Sequence, residues 1–170
     1  MMNFKSVSGF TSILLGCLVL LGSMTVNAGP APKIGAWTKK CFQQNSEAGV
    51  VERCNLIQEV VNDNGARIAG LAIGKMGAKS ELIALLTLPL GVFLPAGVEL
   101  QFDKAPPVKV QYLSCVASGC TAVVNVDNAM LEKFKKHFKA GVTVTAGDMS
   151  KKVTITFDLA GFTKGFPEIQ

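Results

Sequence analysis

Three stretches of the chain alternate strictly between apolar and polar positions. Val98, Leu100 and Phe102 alternate with Glu99, Gln101 and Asp103; Val108, Val110 and Tyr112 alternate with Lys109 and Gln111; Val153, Ile155 and Phe157 alternate with Thr154, Thr156 and Asp158. Successive side chains of an extended chain point to opposite faces, so each stretch predicts a half-buried strand. Residues 142–145 repeat the pattern. The apolar runs 50–61 and 67–76 are separated by Asn62-Asp63-Asn64-Gly65, whose Asn-Gly end tolerates positive φ, and together they predict a hairpin. Further breaks at Ala105-Pro106-Pro107, Ser118-Gly119 and Ala146-Gly147-Asp148 keep the strands short and closely spaced. The expected class is an all-β sandwich rather than a parallel α/β sheet.

Two segments depart from alternation. Residues 82–94 are too short for a membrane span and contain Pro89 and Gly91. They predict a buried strand ending near Leu88, then a crossover through Pro95-Ala96-Gly97. Residues 127–139 predict one short amphipathic helix, capped by Asp127 or Asn128 and stopped by Gly141. Helical spacing puts Met130, Leu131, Phe134 and Phe138 on one face and Lys135, Lys136 and Lys139 on the other. Those three lysines are candidate surface-binding residues for an anionic lipid, a polysaccharide or a partner protein. His137 falls at the flank of the apolar face, as a boundary residue.

Composition changes this picture at the amino terminus. Of the 170 residues 49% are hydrophobic, which raises the question of a membrane segment. Residues 1–28 supply much of that excess: Lys5, an apolar stretch over 10–22, and Val26-Asn27-Ala28 form the three parts of a secretory leader, with cleavage expected after Ala28. Gly16, Gly22 and Ser23 interrupt the stretch too early for a retained anchor. Leu14-Leu15-Gly16-Cys17 is similar to a bacterial lipobox, although a cut at Cys17 would bisect the apolar stretch. The expected organisation is a leader over 1–28 and one domain over 29–170, in the periplasm, associated with the outer membrane, or secreted. The leader takes Lys5 with it, so the formal net charge falls from +5 to +4.

Four cysteines remain in the exported domain: Cys41, Cys54, Cys115 and Cys120. An even number in an oxidising compartment reads as disulfides, and of the three possible pairings sequence separation favours Cys41 with Cys54 and Cys115 with Cys120. Zinc is disfavoured by spacing, since no C-x-x-C pair occurs and the single histidine lies far along the chain.

A search for chemistry yields no catalytic, cofactor-binding or metal-binding residues. A Ser-His-Asp or Cys-His system needs a positioned histidine, and His137 sits among lysines without a nucleophile motif. The glycine-bearing 70–80 stretch does not spell a phosphate loop, because Gly74-Lys75 is followed by Met76. The acidic residues are dispersed over polar strand positions, which does not suggest a glycosidase pair. Two arginines, Arg53 and Arg67, make a poor nucleic-acid reader. The expectation is a non-enzyme without cofactor and without nucleic acid.

Gly35-Ala36-Trp37 followed by Cys41, Cys54 with Gln58, Leu88-Pro89-Leu90-Gly91-Val92-Phe93-Leu94-Pro95-Ala96-Gly97, Cys115 with Gly119-Cys120-Thr121-Ala122, and Leu159-Ala160-Gly161-Phe162 resemble the invasion-associated locus B family. The most specific part is the LPLGVFLPAG run coupled to the downstream C-x-x-x-G-C-x-A. The resemblance implies an exported proteobacterial protein with an immunoglobulin-like β-sandwich, some relatives being associated with host-cell invasion, and it carries over no catalytic residues. The segment 132–139 is more basic than the family pattern. Two functions are therefore expected in turn: an envelope protein that binds a partner or an anionic surface component and assists attachment or invasion, or a periplasmic accessory that holds another exported protein by a strand edge.

Overall fold

The computed structural model describes residues 31–46, 49–77 and 80–170. The expected leader over 1–28, with Cys17, lies outside the described residues. In chain order the elements are β1 (Lys33–Ile34), β2 (Trp37–Ser46), β3 (Gly49–Val61), β4 (Arg67–Met76), β5 (Glu81–Leu88), a 3-10 turn (Leu94–Ala96), β6 (Val98–Phe102), β7 (Val108–Val110), β8 (Tyr112–Val116) and β9 (Gly119–Asn125). They continue with α1 (Asn128–Lys136), β10 (Lys139–Thr145), β11 (Lys152–Asp158), α2 (Phe162–Gly165) and a closing 3-10 turn (Phe166–Ile169).

The strands form two antiparallel sheets, ordered β1-β2-β3-β4-β5-β9-β8 and β11-β10-β6-β7. The inner positions of both, Leu56, Leu71, Ile73, Leu86 and Leu88 from the large sheet with Val98, Leu100, Phe102, Val142 and Phe157 from the small one, build a single core. The expected all-β sandwich is what forms. Alternation explains it: a polar face on one side of each strand leaves only the other to be buried, and two such faces must meet.

The predicted hairpin is β3–β4. Its turn is closed by the Asn62 side chain, whose Oδ1 accepts from the amides of Asn64 at 3.1 Å and Ala66 at 2.9 Å. The run 82–94 also folds as expected, with β5 ending at Leu88 and the chain crossing to the small sheet through the 3-10 turn. The expected strand over 108–112 breaks at Gln111, so that β7 stays in the small sheet while Tyr112 opens β8 in the large one, and β1, β2 and β9 go beyond the expected strands. In β2, Lys39 and Lys40 interrupt the alternation; in β9, inward Cys120, Ala122 and Val124 alternate with Thr121, Val123 and Asn125 in a short stretch after a glycine turn.

The helix is shorter than its apolar spacing predicts. Asp127 is the cap, its Oδ1 accepting from the Met130 amide at 2.7 Å, which is worth about 1 kcal/mol in a typical helix. The other end stops at Lys136, and Gly141 lies inside β10 rather than terminating α1. Met130 and Phe134 are buried, Phe134 against Phe102 and Phe162 at ring distances of 4.9 and 5.4 Å, whereas Phe138 is 80% exposed. Lys139 is a strand residue. The cause is Asp103, which captures the backbone after the helix.

Candidate functional site

Residues that make the sequence recognisable converge on one buried junction. Gly35-Ala36-Trp37, between β1 and β2, lies against Leu159-Ala160-Gly161-Phe162 after β11. The Ala36 amide donates to the Ala160 carbonyl at 3.0 Å and the Trp37 and Phe162 rings are 5.4 Å apart. Gln58, a buried polar side chain, ties the two sheets there. Its Nε2 donates to the carbonyls of Asp158 at 2.8 Å and Ala36 at 3.1 Å, and its Oε1 accepts from the Asp158 amide at 2.8 Å. Gly161 has φ +90°, and a Cβ there would stand 2.3 Å from the Ile34 carbonyl oxygen. The Gln58 amide is spent on holding the fold, whereas the buried Trp37 Nε1 has no hydrogen-bond partner among the described residues.

The second recognisable run spans the layers. After Leu88 the chain is pinned to the small sheet by the Phe93 amide on the Thr145 carbonyl at 2.9 Å and the Gly147 amide on the Gly91 carbonyl at 2.7 Å. Gly119 backs onto this run, a Cβ there standing 2.5 Å from the Leu88 carbonyl oxygen. Pro89, Leu90 and Val92, with Ile68, Val153 and Ile155, line an apolar cleft of about 190 Å³.

The two disulfides are cross-strand bonds. Cys41 and Cys54 are directly opposed in β2 and β3, and Cys115 and Cys120 in β8 and β9. Cys41, Glu52 and Cys54 lie close enough to suggest a metal-ligand group, but both sulfurs are consumed by the bond. A depression of about 370 Å³ beside β1 presents Lys33, Lys40 and Glu59, the last already paired with Arg67 at 3.5 Å.

The remaining chemistry gathers where β6 ends and β10 begins. Asp103, at φ +44°, accepts from three donors that follow α1: His137 Nδ1 at 2.9 Å and the Phe138 amide at 3.1 Å on Oδ2, and the Lys139 amide at 3.1 Å on Oδ1. The Phe138 amide is the strongest influence holding the Asp103 carboxyl below its ordinary range. Burial, the next largest influence, opposes it, while His137 and the Lys139 amide reinforce it. His137 does meet a carboxylate, and the pair with the two following amides forms a clasp. Among the described residues no hydroxyl or thiol hydrogen-bonds to His137.

The segments that meet here carry Lys104 next to Asp103, Lys133, Lys135 and Lys136 on α1, Lys139 at the start of β10 and Lys164 on α2, with Asp103, Glu132 and, opposite Lys139 in β11, Asp158 as their carboxylates. The three lysines expected to share a helix face do not share one environment. Lys135 lies over the Phe166 ring, 5.6 Å from its centroid, and pairs with Glu132 at 3.4 Å. Lys136 shares Glu132 at 3.6 Å but remains largely exposed, and Lys139 projects from β10. Among the described residues Lys104, Lys133, Lys139 and Lys164 form no ion pair. Sequence reasoning missed the role of Asp103 and the outward Phe138, because their contact depends on pairing β6 with β10, whose partners lie 38 to 46 residues apart.

The family model of the invasion associated locus B (IalB) protein matches residues 37–170. The chain belongs to that family. The crystal structure of invasion associated protein B from Bartonella henselae is similar in fold, with a TM-score of 0.72 at 19% sequence identity, covering 82% of this chain and 93% of that one. Among curated proteins no relative matches by sequence. The IalB match takes in Trp37, Gln58 and Gly161, which belong to the buried junction, as well as the whole cationic end. Family membership therefore accounts for the frame on which that end is built. Its ligand has to be argued from the end itself.

Proposed function

We propose that this IalB family member is an exported, non-enzymatic envelope protein that binds an anionic envelope or host-surface component through the cationic end beside α1. The observation that carries this reading is the balance of charge there, six lysines against three carboxylates. The carboxylates also face inward in their bonding: Asp103 accepts from three donors, Glu132 pairs with two lysines, and Asp158 Oδ1 accepts from the Ala160 amide at 2.8 Å. The negative charge is committed to the protein, whereas Lys104, Lys133, Lys139 and Lys164 form no ion pair among the described residues and leave their charge to the outside.

Two disulfides and family membership support export, and the leader pattern over 1–28 agrees with them. The names of the family and of the Bartonella henselae protein refer to invasion. Carried to this chain, they fit attachment at a host surface. The test is retention of the exported protein on immobilised dextran sulfate, compared with a Lys136→Glu, Lys139→Glu variant. The wild type should elute at clearly higher salt; identical elution would overturn the reading.

A second reading, holding another exported protein by a strand edge, is favoured by β8. It is an outer strand of the large sheet and exposes Leu113 at 70% and Val116 at 59%.

A further inference from the structure

We propose that the cationic end docks on an anionic lipid bilayer and that Phe138 is the side chain that enters it. The inference rests on the reading that this end binds anions, and it deepens that reading by naming the partner.

Phe138 has the highest exposure of any large hydrophobic residue described, 80%. That exposure is built. Its amide is held by Asp103 and its carbonyl accepts from the Leu159 amide at 2.9 Å, so the backbone is fixed on both sides. Its neighbours in sequence are fixed by the same carboxylate, through His137 Nδ1 and the Lys139 amide. One turn earlier Phe134 fills the core position at 1% exposure, so no core site awaits the Phe138 ring. The clasp presents an aromatic ring outward, with Lys136 two residues before it and Lys139 directly after it, and the Asp103 that holds it is followed in sequence by Lys104.

The arrangement fits a bilayer better than other anionic partners. A ring in a field of lysines matches the layering of an anionic membrane, with phosphates at the level of the ammonium groups and hydrocarbon just beneath. Lysine stems are themselves apolar and lie along such a boundary with their charges in water. A protein partner would need a broad patch with an apolar centre, about 800 Å² on each side, and a single ring among charges does not supply that centre. A hydrated polysaccharide would answer the lysines but offers no hydrocarbon to the ring.

The experiment is sedimentation of the exported protein with vesicles of phosphatidylcholine alone and with about one third phosphatidylglycerol, set beside its retention on dextran sulfate. Binding should appear only on the anionic vesicles and weaken with salt. Phe138→Ala should lower the partition coefficient about tenfold, and Lys136→Glu with Lys139→Glu about thirtyfold or more, while both keep the thermal unfolding temperature of the wild type. In a Phe138→Trp variant the new indole should shift to shorter wavelength and gain protection from an aqueous quencher on anionic vesicles; Trp37, being fully buried, supplies a constant background. Retention on dextran sulfate without vesicle binding would leave the anion reading standing and overturn the bilayer. Failure on both would overturn both. Vesicle binding unchanged by Phe138→Ala, with no shift of the indole emission in Phe138→Trp, would overturn the role of the ring.

Discussion

Two regions of this molecule are built from hydrogen-bonded backbone and one polar side chain each, yet they do opposite things. At the junction of β1, β3 and β11, Gln58 satisfies three backbone groups and is itself buried at 8% exposure. At the end of β6, Asp103 also receives three donors, but it remains exposed and pushes Phe138 outward. An amide can serve inside because it has both donor and acceptor and carries no charge to desolvate; a carboxylate that only accepts belongs where water meets its remaining lone pairs. The difference teaches that recognisable residues need not be the residues that recognise. Packing forbids substitution at Gly161 or Gln58, whereas an exposed lysine is constrained only by whatever it touches.

Breaking the junction should give the largest effects. Gly161→Ala forces a side chain at φ +90° into the Ile34 carbonyl, and the expected loss of about 4 kcal/mol would lower the unfolding temperature by about 12 °C. Gln58→Ala leaves the Asp158 amide and two carbonyls without their partner in a buried place, for a loss of about 2 to 3 kcal/mol and about 8 °C. Thermal unfolding monitored by circular dichroism measures both. The contrast sharpens if, at temperatures where these variants remain folded, retention on dextran sulfate stays at the wild-type salt concentration. A fall of retention in step with stability would dissolve the distinction between the two regions.

Much of the frame was legible because alternation is a local signal. β6, β7, β11 and the β3–β4 hairpin could be placed from period two and an Asn-Gly turn, and the local cysteine pairings are those that opposed positions in β2–β3 and β8–β9 form. The cationic end was half legible. Lysines at 135, 136 and 139 stand out in the sequence, but helical spacing carried through Phe138 assigned that ring to the core. The spacing could not reveal that Asp103, far away in the chain, ends the helix by taking the amides of residues 138 and 139. Tertiary capture overrode local periodicity, and the same capture turned a core-like phenylalanine into an exposed one.

The finest test of the comparison separates the two polar anchors by pH. Gln58 does not titrate, so its own bonds to Ala36 and Asp158 carry no acid dependence. The Asp103 carboxyl is held below its ordinary range, first by the Phe138 amide and then by His137 and the Lys139 amide, so its folded pKa lies under the unfolded value near 3.9. A depressed carboxyl contributes its stabilisation in full above the unfolded pKa and loses it as pH falls through the folded one. Between neutrality and about pH 5 the clasp should therefore hold, and it should loosen only below about pH 4. Amide hydrogen exchange, corrected for the intrinsic effect of pH, would show Phe138 and Lys139 losing protection about tenfold in that acid range while the Asp158 amide on Gln58 keeps its own. In Asp103→Asn one oxygen accepts where two did, so part of the protection should be missing at every pH and the acid step should vanish. An acid step that persists in Asp103→Asn, or one shared equally by Asp158, would mean that the clasp does not act as a unit distinct from the core.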